Sequence, residues 1–111
     1  MKRALSVIIL LACAAVLMTS EARAVFKVTN GTGFVLSALY VGDANSEQWG
    51  EDLLDGNPLL DGESVLISLL SLNSTVVNVR GRDNEGDTYT IYGVDAARED
   101  VTIHLTDIDP D

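Results

Sequence analysis

The chain has 111 residues, with 17 carboxylates against 7 basic side chains and a net charge of −10. That length allows one compact domain. The charge argues against nucleic acid as a partner, because phosphate backbones need clustered Lys and Arg, and it disfavours anionic membrane surfaces for the same reason.

Residues 1–24 read as a secretory signal peptide. Lys2 and Arg3 supply a basic start, Ala4 to Met18 is apolar apart from Ser6, and Ala22-Arg23-Ala24 is a small-x-small cleavage site. The apolar run is 15 residues long, short for a span of about 20. Two alternatives stand beside this reading. One is an uncleaved anchor; the other is acylation at Cys13, since Leu10-Leu11-Ala12-Cys13 loosely matches a lipobox. Removal of the signal leaves 87 residues with 4 basic and 16 acidic side chains, net −12 and without cysteine. The expected organisation is a β domain over 25–106 and an acidic tail over 107–111, which is expected to fray. No membrane span is expected in the mature chain.

Alternation of apolar and polar residues dominates the chain beyond residue 24. Phe26 and Val28 alternate with Lys27 and Thr29 in a first strand, which Asn30-Gly31-Thr32-Gly33 ends in a turn. Phe34–Val41 is apolar on both faces except Ser37, so this second strand is expected to lie centrally. Ser46–Leu54 is predicted to form a short helix capped by Asn45 or Ser46. Val65, Ile67 and Leu69 mark a third strand. Val76–Arg82 and Thr88–Gly93 flank Asp83-Asn84-Glu85-Gly86-Asp87, a hairpin connection with a glycine for the left-handed position. Asp95–Asp100 suits one turn before a last strand carrying Val101, Ile103 and Leu105. About six strands joined by turn signals predict an all-β fold, a small antiparallel β-sandwich with one or two short helical turns in its connections.

Asn30-Gly31-Thr32-Gly33, Leu39-Tyr40-Val41, Trp49-Gly50-Glu51-Asp52-Leu53-Leu54 and Leu60-Asp61-Gly62-Glu63-Ser64 occur in that order. Val79-Arg80 and Gly93-Val94-Asp95 come after them. The series resembles small secreted bacterial proteins with the pattern N-x-T-G, L-Y, W-G-x-D-L-L and L-x-x-G-x-S. The resemblance implies export and a β-sandwich without an established activity, and it transfers no catalytic residue. Many members carry two cysteines, whose places are taken here by Thr75 and Ala97, so that disulfide is absent.

Catalytic constellations are missing from the sequence. The one histidine, His104, falls on the polar face of its strand, and no G-x-S-x-G elbow supplies a nucleophilic serine. The chain is therefore read as non-enzymatic. Calcium is the one cofactor the composition suggests, because hard cations take oxygen ligands from carboxylates, amides and carbonyls. Asp43, Asn45 and Glu47 form one candidate loop; Asp83, Asn84, Glu85 and Asp87 form the other. Neither fits the EF-hand spacing, and Asp and Asn also favour turns for their own backbone bonding.

Trp49 is either an exposed anchor for a partner or, as favoured here, a lid folding with Leu53 and Leu54 over one end of the sandwich. Arg80 and Arg82 share a strand face with Asn78 and either neutralise nearby acids or meet an anionic ligand. Asn30-Gly31-Thr32 and Asn73-Ser74-Thr75 match the N-glycosylation pattern, a chance match if the source is bacterial. The resulting expectation is an exported, periplasmic or extracellular binding module with Trp49, Arg80 and Arg82 as contact residues. Its partner would be an unknown protein or envelope component. A calcium-stabilised accessory domain is the alternative.

Overall fold

The structure, a computed structural model, describes residues 23–111. Residues 1–22, which hold most of the expected signal peptide and Cys13, lie outside the described residues. Six strands form in chain order: β1 (Val25–Gly31), β2 (Leu36–Asp43), β3 (Ser64–Ser68), β4 (Val76–Asp83), β5 (Thr88–Asp95) and β6 (Val101–His104). Single 3-10 turns come after β3 at Leu69–Ser71 and after β6 at Leu105–Asp107.

The strands make two three-stranded sheets, ordered β3-β1-β6 and β2-β4-β5. Period-2 alternation decides which side chains lie between them. Phe26, Val28, Ile67 and Ile103 come from the first sheet; Leu36, Leu39, Val77, Val79, Tyr89 and Val94 come from the second. These residues are buried in one shared core, so the fold is a β-sandwich. Neighbouring pairs are antiparallel with one exception. β1 and β6 run parallel, with Val28 opposite Val101 and Gly31 opposite His104. Among the described residues no helix is long and apolar enough to cross a membrane.

Three expectations are corrected. β2 is an edge strand and β4 is the middle of its sheet. The free edge of β2 is paired by the connection after it, not by a flanking strand. Leu36 exchanges backbone hydrogen bonds with Leu59 at 3.0 and 2.9 Å, and Leu53 N–H donates to Leu39 O at 2.7 Å. An edge strand satisfied in this way is no longer an open template for another chain.

The helix predicted over Ser46–Leu54 does not form. Its backbone groups are taken by β2, and the Asp52 carboxylate accepts from both Leu39 N–H and Leu54 N–H at 2.9 Å. Positive φ at Gly50 (75°) and, just beyond, at Asp55 (51°) turns the chain out of the helical region. Ser46 Oγ accepts from Gln48 N–H in a local turn rather than capping a helix.

The acidic tail is held in place. Asp109 N–H donates to Thr88 O at 2.8 Å, and the Asp109 carboxylate accepts from the Thr88 and Thr90 hydroxyls. Ile108 pairs with Tyr89 as an isolated bridge. The turn expected before β6 is present, closed by Arg98 and Glu99 N–H groups donating to Asp95 O.

Candidate functional site

The outer face of the second sheet gathers residues that alternation turns away from the core. On β4 these are Asn78, Arg80 and Arg82, opposite in phase to buried Val77 and Val79. Tyr40 of β2 and Thr90 of β5 lie directly across from Arg80; Thr88 lies across from Arg82. The face therefore carries two guanidinium groups, although the described residues hold only five basic side chains.

Trp49 arrives on this face from the long connection. Gly42 makes room for it: a Cβ there would stand 2.6 Å from Gln48 O and 3.6 Å from Trp49 Cα. Any other residue would push the 48–49 segment off the sheet. The Arg80 guanidinium carbon then sits 4.4 Å from the centroid of the indole ring, a cation–π contact of roughly 0.5–1 kcal/mol at a partly exposed site. Its other side is fixed by Thr90 Oγ1, which accepts from Nε at 2.9 Å. Asp109 is 3.9 Å away. Arg80 is thus clamped between a ring and an anchored carboxylate, while Arg82 is exposed with no ion pair among the described residues.

Trp49 separates two depressions. A shallow hollow of about 360 Å³ is lined by Tyr40, Trp49, Arg80, Arg82, Gly86 and Thr88. On the other side an open cleft of about 580 Å³ lies between the 42–53 and 71–74 segments. Asp43, Ser46, Gln48, Asn73 and Ser74 give it polar walls. Both volumes fall within the range of small-ligand sites. Trp49 is half-buried, so it is neither free in solvent nor folded over the core. The closing of the sandwich falls to Leu54 and Leu59, which are 7% and 6% exposed, whereas Leu53 is 39% exposed.

The two proposed calcium loops are not one site. Asp43 pairs with Val77 near the start of β4 and Asp83 with Leu36 at its end, which puts the loops at opposite ends of the sheet. Asp43 Oδ1 accepts from Asn45 N–H at 2.9 Å; Asn45 and Glu47 are exposed. Asp83 is buried and already bonded: Oδ1 accepts from Glu85 N–H and Asp87 N–H, and Oδ2 accepts from Tyr89 Oη at 2.8 Å. Among the described residues no three His, Cys, Asp or Glu side chains are grouped as metal ligands. Asn84 and Glu85 are exposed and Asp87 is half-buried.

Asp83 and Tyr89 shape each other's titration. Burial pushes the Asp83 carboxyl up, but the Tyr89 hydroxyl and the turn N–H groups of Glu85, Asp87 and Gly86 outweigh it, leaving the group below its ordinary value. Tyr89 is pushed up to about 12, first by burial and then by its bond to Asp83 and the charges of Asp83, Asp87 and Glu85.

The remaining motif residues either hold backbone groups or lie exposed. Asn30 is fully buried and donates from Nδ2 to Phe34 O and Leu59 O, while its Oδ1 accepts from Thr32 N–H and Oγ1. An asparagine amide spent in this way is closed to a glycan; Asn73 is exposed. Asp61 accepts from Gly33 N–H and Glu63 from Leu60 N–H. His104 is exposed on β6. Ala96 N–H donates to Thr75 O at 2.8 Å, so the two stretches where the resemblance places cysteines are neighbours.

Thr88, Thr90 and Asp109 join the site without a sequence motif to mark them, and Tyr40 joins it from the Leu39-Tyr40-Val41 motif, which carried no expected site role. Tyr40 shares the outward phase of β2 and could have been found from it; Asp109 obeys no period and could not. Comparison with known protein families, with curated proteins and with solved structures finds no match for this chain.

Proposed function

We propose that the protein is an exported binding module whose contact surface is the outer face of the β2-β4-β5 sheet, centred on Trp49. The observation that carries this reading is the Arg80 guanidinium held over the Trp49 ring beside an exposed Arg82. Aromatic and arginine side chains together are the residue types that contribute most to binding energy at interfaces. The partner is a protein or envelope component that presents an anionic group next to an apolar one. Support for export comes from the basic, apolar and small-x-small order of the first 24 residues.

The chain has one tryptophan, so its fluorescence reports this surface alone. A field set by the net charge of −10 would favour quenching by caesium over iodide. With each quencher's constant divided by its value on free N-acetyltryptophanamide, the local arginines reverse that order: iodide is expected to quench Trp49 more strongly than caesium at equal ionic strength. Arg82→Glu is expected to restore the caesium preference without altering the melting temperature. Stronger caesium quenching in the parent chain would remove the anion-binding surface.

A further inference from the structure

Arg23 and Ala24 fall within the segment that cleavage at Ala22-Arg23-Ala24 would discard, yet both are bonded into the domain. The Arg23 guanidinium donates to Ala96 O at 2.9 and 3.2 Å and to Glu99 O at 2.6 Å, and it pairs with Asp100 at 3.0 Å. Those two carbonyls belong to the turn that leads into β6. Ala24 O accepts from Leu69 N–H at 2.9 Å, which extends the β1–β3 ladder one step past Val25 opposite Ser68.

A cut between Ala24 and Val25 would strip that turn of its guanidinium and Leu69 N–H of its acceptor. It would also put a charged α-ammonium on the first residue of the ladder. A second small-x-small triplet, Ser20-Glu21-Ala22, stands two residues upstream.

We propose that the signal peptide is cleaved between Ala22 and Arg23, so that the exported chain begins at Arg23 and keeps this arginine as a structural clamp. The mature protein then has 89 residues and a net side-chain charge of −11. This rests on the export reading, and the test separates the two. The full-length chain is expressed in an exporting bacterial host, and the processed product is analysed by intact mass and N-terminal sequencing. The expected first residues are Arg-Ala-Val-Phe. A product beginning Val-Phe-Lys-Val overturns the assignment and leaves export standing. A chain retaining Met1 overturns the export reading itself, and one acylated at Cys13 overturns the cleavage site. The Ala24→Tyr variant adds a second arm, since Ala24 fills a position that must be small if the cut follows it and lies beyond the recognised triplet if the cut follows Ala22. Processing is expected to continue unchanged in that variant; arrest overturns the proposal.

Discussion

At the scale of the residue, this acidic protein uses its carboxylates as backbone ligands. Asp52, Asp61, Glu63, Asp83, Asp100 and Asp107 each accept from at least one main-chain N–H, in turns and at strand ends that would otherwise leave a donor unpaired. Asp83 adds a buried Tyr89 hydroxyl to two such N–H groups, and the pair makes stability depend on pH at both ends of the scale. An unfolded tyrosine titrates near 10, and Tyr89 is pushed up to about 12. Its contribution is therefore complete below pH ~10 and declines as pH rises through the folded value. Asp83 works with the opposite sign: its contribution is present above the ordinary carboxylate range and is lost as pH falls through its own lower value. Tyr89→Phe removes the alkaline decline and leaves Asp83 Oδ2 without its donor. The expected result is a loss of about 1–3 kcal/mol at neutral pH and an acid limb moved to higher pH. Urea unfolding between pH 3 and 12 checks all three.

At the scale of the element, the strands were legible because alternation is a local signal. All but β2 lie where apolar and polar residues take turns, and Gly86 has the positive φ, 94°, that the hairpin at Asp83–Asp87 demanded. What alternation does not encode is who pairs with whom. Phe34–Val41 reads as a central strand because both its faces are apolar, yet β2 lies at the edge of its sheet, where an irregular segment, 53–59, whose own sequence carries no period, pairs with it. The same segment defeated the helix prediction: spacing put Trp49, Leu53 and Leu54 on one helical face, while the hydrogen bonds of β2 drew the backbone flat. Only Leu54 then reaches the core. Leu54→Ala is accordingly expected to cost about 2–5 kcal/mol, as for other buried leucines, and Leu53→Ala less than about 0.5 kcal/mol. Equal losses in the two variants, measured by urea unfolding, would mean that the connection packs by a helical face after all. In the candidate site, Arg80 and Arg82 were visible from the strand phase. Their setting was not, because Trp49 and Asp109 come from segments that only the tertiary fold brings there.

At the scale of the molecule, 87 residues downstream of Ala24 are stabilised without a disulfide, and a domain of that size has little core to spare. Calcium would be one remedy, and its effect is measurable: a specific ion raises the melting temperature by mass action. With the Asp83 carboxylate already committed and the two acidic loops at opposite ends of the sheet, neither millimolar calcium nor a chelator is expected to shift the melting temperature. A rise of several degrees with calcium would return those loops to metal binding. The fold instead closes itself with chain segments, the 53–59 connection over β2 and the 108–109 stretch along β5.

The parallel pairing of β1 with β6 sets a timetable. The first strand to be synthesised sits in the middle of its sheet and waits for the last one to complete it, with almost the whole domain between them. Contacts so distant along the chain form slowly, because a large loop must close before any gain is returned. Ile103, fully buried on β6, cannot enter the core until the C-terminus has left the ribosome. Until then half of the sandwich is unfinished and the polypeptide stays pliable enough to be threaded. Under the proposed export, late completion is an advantage: a domain that sets late is still threadable when it meets the membrane.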